Sequence, residues 1–498
     1  MLKTDSPINM QLLSSLTIDR TNKQAIYLQI ANQLMGLIRE GILPSGYRLM
    51  STRQLAILLN IHRKTVVQAY DELLAQGWLE SQTGNGTFVA GNFPEIQPQQ
   101  LGENHANNIK PNRTAGFEIP IMPHLNRPVL LSRAGLHLDD GFPDARLAPL
   151  EELSRAYRSQ LLTGNSYSRL GYGDTQGSFW LRQELSTYLN ETRGLKTTTD
   201  NILVIRGTIM GLYLVSTGLL QSKNNVVVSE LGWAGANSNF LQAGANLLTI
   251  PVDKYGIDLD ALENLCRKQK IHLLYVTSHH HYPTTVALRA DRRIRLLQLS
   301  EQYGFIIFED DYDYDFHYES KPILPLAGAD KAGMVLYCGS FTKAISPAFR
   351  VGYLVGPANV IKHLAQLRRI IDRQGDVILE NTIAELLQNG VIQRHLRKSL
   401  REYKHRRDYF CELLGSRLGN HVEFQIPDGG MAVWTQFDPQ IDLVSIAKKA
   451  LKMDMYFSDG SAHQQYSQII NTTRLGFASS TLQELEMCVD ILVKLLNK

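Results

Sequence analysis

Apolar positions recur with the spacing of an amphipathic helix three times in the first ninety residues, and two short strand-like runs follow. The apolar faces comprise Tyr27, Ile30, Leu34, Leu37 and Ile38 in the first segment, Leu55, Leu58 and Leu59 in the second, and Val66, Ala69, Tyr70, Leu73 and Leu74 in the third. Residues 78–81 and 87–89 flank a glycine-rich turn, which is typical of a β-hairpin. The pattern predicts a small α+β winged helix-turn-helix over residues 20–90.

The remaining chain shows a different pattern. Residues 91–133 are rich in Pro, Asn and Gln and follow no helix or strand period, so we expect a flexible linker there. From residue 134 to residue 498, amphipathic stretches alternate with short apolar runs such as 226–229 and 273–276. Apolar runs between helices are typical of parallel strands that are buried on both faces. These features predict a large α/β domain within a multidomain protein.

The composition adds few restrictions. The 498 residues, 44% apolar and 20% charged, suffice for two or three domains, and the net charge of +3 does not by itself indicate nucleic-acid binding. The four cysteines lack the spacing of a metal site, so we expect reduced, buried thiols. Because no stretch has the length of a membrane helix and the N-terminus lacks a signal-peptide core, we expect a cytoplasmic protein with no membrane partner.

Side chains suited to DNA contacts cluster in the predicted winged helix. Its third helix would enter the major groove, and its hairpin would contact the backbone or the minor groove. The candidate contacts to phosphates and base edges are Arg48, Arg53, Arg63, Lys64, Thr65 and Gln68. Residues 1–90 carry eight Lys and Arg against six Asp and Glu, so their charge leaves open a small helical interaction domain instead.

Residues 25–89 resemble the DNA-binding domain of GntR-type bacterial regulators, most clearly at 46–49, 51–56, 63–66 and 84–89. The resemblance implies that double-stranded operator DNA is a partner of this chain. The contacts that it implies are Arg53, Arg63, Thr65, Gly84 and Gly86. His62 stands where the family usually has Ser or Thr, so we expect a weaker cap at the start of the third helix.

A second functional pattern lies in residues 337–350. Lys343 is preceded by the hydroxyl of Ser340 and followed by Arg350. These three groups suit pyridoxal 5′-phosphate (PLP), because a lysine amine condenses with the cofactor aldehyde as a Schiff base while a hydroxyl and an arginine hold the phosphate. A turn of this composition is common, so the prediction depends on further residues upstream.

Two upstream segments supply groups for the rest of such a cofactor. Asp310 and Tyr312 follow an apolar strand, where a carboxylate would pair with the pyridine nitrogen and a tyrosine would donate to the phenolate oxygen. The alternatives are an acidic surface turn or a metal-binding cluster. Gly207 and Thr208 form a glycine turn before a helix, which can cradle a phosphate. Trp233 follows another strand and would stack on the ring, unless it is an ordinary core residue.

Two basic groups complete the candidate site. Residues 279–281 are three consecutive histidines, but neighbouring side chains on a strand point to opposite sides and no further ligand is spaced nearby. We therefore favour a histidine, His280, that faces the cofactor oxygen over a metal site. Arg474 could hold an effector carboxylate with two hydrogen bonds, the alternative being an ordinary surface arginine.

Together these segments resemble fold type I aminotransferases of class I, in the order that the family has, from about residue 138 onward. The resemblance implies that Lys343 forms the Schiff base and Asp310 pairs with the pyridine nitrogen. It also implies that Tyr172 reaches the phosphate of a neighbouring subunit and that Arg474 binds an α-carboxylate. Departures from the family occur at Thr175, Thr285, the histidines at an asparagine position, and Ala432.

A winged helix, a linker and an aminotransferase-like domain form the layout of the MocR subfamily of GntR regulators, which this chain resembles. The resemblance implies a head-to-tail homodimer whose PLP-binding domain senses a small amino compound or PLP itself. Two alternatives stay open: an active aminotransferase with an accessory DNA-binding domain, and a scaffold that binds PLP for stability. The DNA-binding domain favours the regulator, since a metabolic enzyme needs none.

One basic run has two interpretations. Residues 391–407 contain seven Lys and Arg and a single acid, Glu402. The run is either the solvated face of a helix or a second surface that contacts DNA.

Overall fold

The computed structural model describes residues 16–91, 115–125, 134–164, 170–319, 323–463 and 471–497. It divides into two compact units, Met1–Pro120 and Ile121–Lys498. Most of the predicted linker, at 92–114 and 126–133, lies outside the described residues. Among the residues that are described, no helix combines the length and the apolar character needed to cross a bilayer.

The first unit is a winged helix. Its elements are α1 (Ile26–Arg39), α2 (Thr52–Leu58), α3 (Arg63–Ala75), β1 (Leu79–Gln82) and β2 (Gly86–Val89). The three helices enclose a core that includes Ile30, Leu34, Leu55, Val66 and Leu73, all of them inaccessible to solvent. The strands pair antiparallel in a register that sets Leu79 opposite Val89. The predicted order of three helices and a hairpin is confirmed.

The caps of α2 and α3 explain where these helices begin. Ser51 accepts a hydrogen bond from the Gln54 amide, and the side-chain oxygen of Gln54 accepts one from the Ser51 backbone N–H. At α3, the Nδ1 atom of His62 accepts a hydrogen bond from the Lys64 amide at 3.2 Å. His62 therefore caps α3 with its imidazole as the acceptor in place of a hydroxyl, and the weaker strength of this cap stays a prediction.

The second unit is built around a seven-stranded sheet. The strands of the unit are β3 (Leu136–Leu138), β4 (Ile202–Ile205), β5 (Asn225–Ser229), β6 (Asn246–Ile250), β7 (Val252–Asp253), β8 (Gly256–Ile257), β9 (Leu273–Val276), β10 (Ile306–Asp311), β11 (Val335–Ser340), β12 (Gly352–Val355), β13 (Val422–Phe424), β14 (Ala432–Phe437), β15 (Met455–Phe457) and β16 (Thr472–Gly476). The order in the main sheet is β4-β12-β11-β10-β9-β5-β6. Only β12 runs antiparallel to its neighbours.

The helices of this unit pack on the main sheet, on the smaller sheets and on one another. They are α4 (Leu150–Leu162), α5 (Phe179–Arg193), α6 (Thr208–Leu219), α7 (Ala234–Gln242), α8 (Leu259–Lys268), α9 (Ala290–Tyr303), α10 (Leu326–Ala329), α11 (Phe341–Ala344), α12 (Ala358–Arg369), α13 (Val377–Gln388), α14 (Val391–Leu418), α15 (Leu443–Lys452) and α16 (Leu482–Leu496). Along β9, Leu273 and Tyr275 pack into one buried cluster, and Leu274 and Val276 pack into another. Alternate residues thus enter cores on opposite faces, as the continuous apolar run predicts.

Two smaller sheets bring the ends of this unit together. The order β13-β14-β16 forms an antiparallel sheet in which Arg474 lies opposite Trp434. The short parallel pair of β15 and β3 sets Phe457 beside Leu138. Because residues 139–142 follow β3 directly, this pairing holds the start of the unit close to segments from its end.

The basic run lies on α14, and its members differ in environment. Arg406 is buried and donates to the Asp144 carboxylate at 2.8 Å. Arg407 is also buried and pairs with Glu319 and Asp408. The exposed cations of the run are Arg394, Arg397, Lys398 and Arg401. Two of the seven charges therefore stabilise the fold and are unavailable to a solvated face.

Candidate functional site

A cavity of about 300 Å³ lies at the carboxyl ends of the central strands. Its lining residues are Asp140, Phe142, Thr208, Ile209, Trp233, Tyr275, Tyr282, Asp310, Tyr312, Ser340, Thr342, Lys343 and Arg350. Asp310 comes from the end of β10 and Ser340 from the end of β11, which are neighbouring parallel strands. Ligands of open α/β sheets bind at this edge, where several strands deliver side chains to one place.

Lys343 reaches the cavity from the short helix α11. Its amino group donates to the carbonyl oxygen of Gly141 and lies 4.8 Å from the ring centre of Phe142. Burial lowers the pKa of Lys343 from its ordinary value. A lower pKa raises the fraction of neutral amine, which is the nucleophilic form that attacks an aldehyde.

Asp310 and Asp311 point to opposite faces of β10. The carboxylate of Asp310 lines the cavity and accepts hydrogen bonds from Tyr275 at 2.8 Å and from Thr208 at 3.4 Å. Asp311 accepts from Tyr337 at 2.6 Å on the other face. Asp310 is 3% exposed, so the alternative of an acidic surface turn is wrong. Within the described ranges, no group of three or more His, Cys, Asp or Glu side chains is arranged to hold a metal ion.

Several hydrogen-bond donors lie around a glycine turn at one end of the cavity. Gly207 has a φ of 76° and directly precedes α6, whose first residue is Thr208. This left-handed conformation favours a glycine, and a Cβ atom here would also lie 2.9 Å from the guanidinium of Arg350. Ser340 and Thr342 add hydroxyl groups 2.7 Å apart. Free helix amides, hydroxyls and a guanidinium are the groups that bind a phosphate dianion.

Trp233 forms part of the cavity wall. It is only partly buried and immediately precedes α7. A Cβ atom at Gly235 would lie 2.3 Å from the indole ring, so this glycine allows the ring its position. Trp233 also packs against a buried cluster on that face of the sheet, so its stacking on a cofactor ring stays a prediction.

Arg474 lies behind the cavity. It is 1% exposed, and its Nη1 atom is 3.3 Å from the Pro283 carbonyl oxygen and 3.5 Å from the Tyr312 hydroxyl. Its Nε atom is 3.4 Å from a carboxylate oxygen of Asp140. The alternative of a surface arginine is wrong.

The candidate DNA contacts of the first unit lie on α2, α3 and the hairpin. Arg53, Arg63, Lys64 and Gln68 are exposed, and Arg63 donates to the Thr52 hydroxyl at 3.3 Å. Arg48 is exposed and lies against the hairpin turn, since a Cβ atom at Gly86 would be 3.1 Å from its guanidinium. Gly84 and Gly86 have positive φ angles of 76° and 123°. The chain therefore presents cations both near the start of α3 and beside the wing.

Models of two protein families match the chain. The model of aminotransferase class I and II matches residues 138–492, and that of the bacterial regulatory proteins of the gntR family matches residues 26–89. This chain belongs to the aminotransferase class I and II family. The domain thus belongs to a family that binds PLP, and it is joined to a gntR-type DNA-binding domain.

Relatives with both domains are regulators. The chain is 27% identical to the probable rhizopine catabolism regulatory protein MocR of Rhizobium meliloti, over 93% of this chain and 92% of that protein. It is also 27% identical to the HTH-type pyridoxine biosynthesis transcriptional regulator PdxR of Corynebacterium glutamicum, over 86% of this chain and 87% of that protein. The resemblance to MocR-type regulators is confirmed: the chain is a helix-turn-helix transcriptional regulator with an aminotransferase-like domain.

Solved structures match the aminotransferase-like domain. The multiple substrate aminotransferase of Thermococcus profundus is 25% identical to this chain, with a TM-score of 0.69. The match covers 74% of this chain and 92% of the aminotransferase chain. The kynurenine aminotransferase of Pyrococcus horikoshii is 26% identical with a TM-score of 0.68, over 74% of this chain and 91% of its own. The predicted fold type I architecture is confirmed.

Four predicted site residues are not among those that line the cavity: Gly207, Arg474, His280 and Tyr172. The ring of His280 lies 2.8 Å from the Asp313 carboxylate and is buried, so it does not face the cavity as expected. Tyr282 lines the cavity in its place. Tyr172 is 79% exposed, beneath the guanidinium of Arg373. Its contact with a neighbouring subunit stays a prediction.

The sequence interpretation missed several cavity residues of this aminotransferase-like domain. Tyr275 lies within an apolar run and has the pattern of a core residue. Tyr282 directly precedes Pro283 and follows the three consecutive histidines, which have the more conspicuous pattern. Asp140 and Phe142 flank Gly141 after β3, far in sequence from the other cavity residues. The glycine turn after the first strand of the domain is the sequence feature that indicates Asp140 and Phe142 as candidates.

Proposed function

We propose that this chain is a cytoplasmic, PLP-dependent transcriptional regulator that senses a small amino compound in its aminotransferase-like domain. The observation that carries the proposal is that Lys343, Asp310 and Arg350 line one cavity. The gntR-type domain on the same chain supplies the DNA-binding function. The names of two relatives, a rhizopine catabolism regulator and a pyridoxine biosynthesis regulator, agree with sensing of small metabolites.

The residues of the cavity fit PLP. The glycine turn at Gly207, with Ser340 and Arg350, would hold the phosphate, and Asp310 would pair with the pyridine nitrogen. Trp233 would stack on the ring, and Tyr312 would donate to the phenolate oxygen. When bound, PLP supplies an aldehyde that attaches to an amine and a ring that withdraws electrons from it.

Lys343 would connect the cofactor with the effector. The low pKa of Lys343 favours the neutral amine that binds an aldehyde, and an incoming amine would compete for the same carbon. Loss of the lysine contact would change the balance between two arrangements of a head-to-tail homodimer. Such a change would alter how two winged helices are spaced on operator DNA.

The proposal is tested by the response of DNA binding to amines. Duplexes that the protein enriches from a random pool would serve as the DNA, and affinity would be measured by fluorescence anisotropy with PLP and a panel of amines. We expect at least one amine to change the affinity of the wild type and none to change that of Lys343→Ala. Lys362→Ala removes an exposed lysine of the same domain and should respond as the wild type.

Two outcomes would overturn the proposal. One is an equal response of the wild type and Lys343→Ala, which would place the sensing elsewhere. The other is steady-state transamination at ordinary enzymatic rates with no effect of any amine on DNA binding, which would favour the alternative of an enzyme.

A further inference from the structure

An acid occupies the neighbourhood of the arginine that would receive an effector carboxylate. The Oδ1 atom of Asp140 is 3.4 Å from the Nε atom of Arg474. The Oδ2 atom of Asp140 accepts a hydrogen bond from the Tyr282 hydroxyl at 2.6 Å, and that hydroxyl also lies 3.2 Å from Nδ1 of His463. Asp140 is therefore held in place beside the guanidinium and on the wall of the cavity.

Asp140 gives Arg474 an acidic neighbour before any effector binds. PLP would neutralise Arg350 through its phosphate and Asp310 through its pyridine nitrogen, and Lys343 would bind its aldehyde. Arg474 would contact none of these groups of PLP, and Asp140 is its counter-ion at ion-pair distance. A carboxylate that approaches Arg474 is attracted by the guanidinium but repelled by Asp140, so the electrostatic gain of binding it is largely cancelled.

Neither partner of this pair is saturated. Among the described residues, Asp140 Oδ1 and Arg474 Nε have no hydrogen-bond partner. Both atoms are buried, and they lie 3.4 Å from each other. The surrounding wall, with Phe142, Ile209 and Tyr282, suits an apolar or aromatic group.

We propose that Asp140 is a specificity-determining residue that selects against a carboxylate next to the amino group of the effector. Its side chain takes the place at Arg474 that such a carboxylate would need. The preferred effectors are amines without an α-carboxylate. This inference rests on the proposed function, because it requires that the amine binds at the PLP held by Lys343.

The test compares two probes that differ only in the carboxylate, L-phenylalanine and 2-phenylethylamine. Their dissociation constants are measured from the visible absorbance of bound PLP in the wild type and in Asp140→Asn, which can still accept the Tyr282 hydrogen bond. We expect the wild type to bind 2-phenylethylamine at least as tightly as L-phenylalanine. In Asp140→Asn, the ratio of the two constants should shift toward L-phenylalanine by roughly tenfold or more.

The neighbouring Asp139 provides a matched control. Its carboxylate accepts from the Phe142 amide at 2.8 Å and from the Ser479 hydroxyl at 2.6 Å. Asp139→Asn removes the same charge one residue away and should leave the ratio unchanged. Asp140→Ala should shift the ratio in the same direction as Asp140→Asn.

The outcomes separate this inference from the proposed function. A wild type that binds L-phenylalanine more tightly, or a ratio that is the same in Asp140→Asn, would overturn the role of Asp140 while PLP binding is retained. A wild type that binds no PLP would contradict the proposed function itself.

Discussion

At the scale of single residues, two adjacent carboxylates on β10 have opposite electrostatic environments. Burial raises the pKa of Asp310 to about 7. Burial also acts on Asp311, but the nearby His279 outweighs it and the pKa of Asp311 is lowered. The hydrogen bonds that Asp310 makes to described residues come from hydroxyl groups, and a pyridinium nitrogen would add a cationic partner.

The raised pKa of Asp310 predicts a pH dependence of stability. The folded state keeps a proton on Asp310 up to about pH 7, whereas an unfolded aspartate loses it near pH 4. The free energy of unfolding of the cofactor-free protein should therefore fall as pH rises through this window. Urea unfolding at several pH values measures this change. In Asp310→Asn, the fall in the free energy of unfolding should be smaller than in the wild type by about 1–3 kcal/mol. Identical pH profiles would contradict the prediction.

Thr285 provides a second prediction at this scale. Its φ angle is 63°, a left-handed conformation that is unfavourable for a β-branched residue. Thr285→Gly should raise the free energy of unfolding by about 1 kcal/mol, since the steric relief exceeds the entropic cost of glycine. Thermal unfolding measures the change. Thr284→Gly, at a neighbouring residue whose hydroxyl contacts His281, should instead destabilise the protein.

At the scale of secondary-structure elements, α2, α3 and the hairpin form the candidate DNA-contacting surface. Arg53→Ala and Arg63→Ala should each weaken DNA binding by about 1–3 kcal/mol, with a smaller salt dependence where the lost contact is to a phosphate. Gel-shift titrations at several salt concentrations measure both effects. Arg39→Ala removes an exposed cation at the end of α1 and should have little effect. Unchanged affinity in both α2 and α3 variants would refute the assignment of this surface.

The elements of the fold were largely predictable, but several side-chain environments were not. Periodicity predicts the winged helix and the buried strands, because apolar spacing depends only on local sequence. The burial of Arg406 and Arg407 depends on acids from distant segments, Asp144 and Glu319, which no local pattern reveals. Likewise, the order of motifs predicts a cavity that contains Lys343. The ion pair between Asp140 and Arg474 joins opposite ends of the domain, so it is visible only in the tertiary structure.

At the scale of the whole molecule, a regulator needs ligand occupancy and not chemical flux. The DNA-binding domain, Thr285 and the acid beside Arg474 all argue against selection for fast transamination. We predict that any half-transamination proceeds far below the ~1–1,000 per second of ordinary enzymes. Stopped-flow and overnight absorbance measurements with amino acids would test it. Turnover within the enzymatic range would contradict the prediction.

The central claim is that Lys343 binds PLP in this DNA-binding protein, and covalent trapping tests it most directly. Borohydride reduction of the PLP-loaded protein, followed by peptide mass mapping, identifies the lysine that carries the cofactor. We predict a modified peptide containing Lys343, an unmodified Lys343→Ala protein, and wild-type modification in Lys362→Ala. Retained label in Lys343→Ala, label on another lysine, or no label in the wild type would contradict the account.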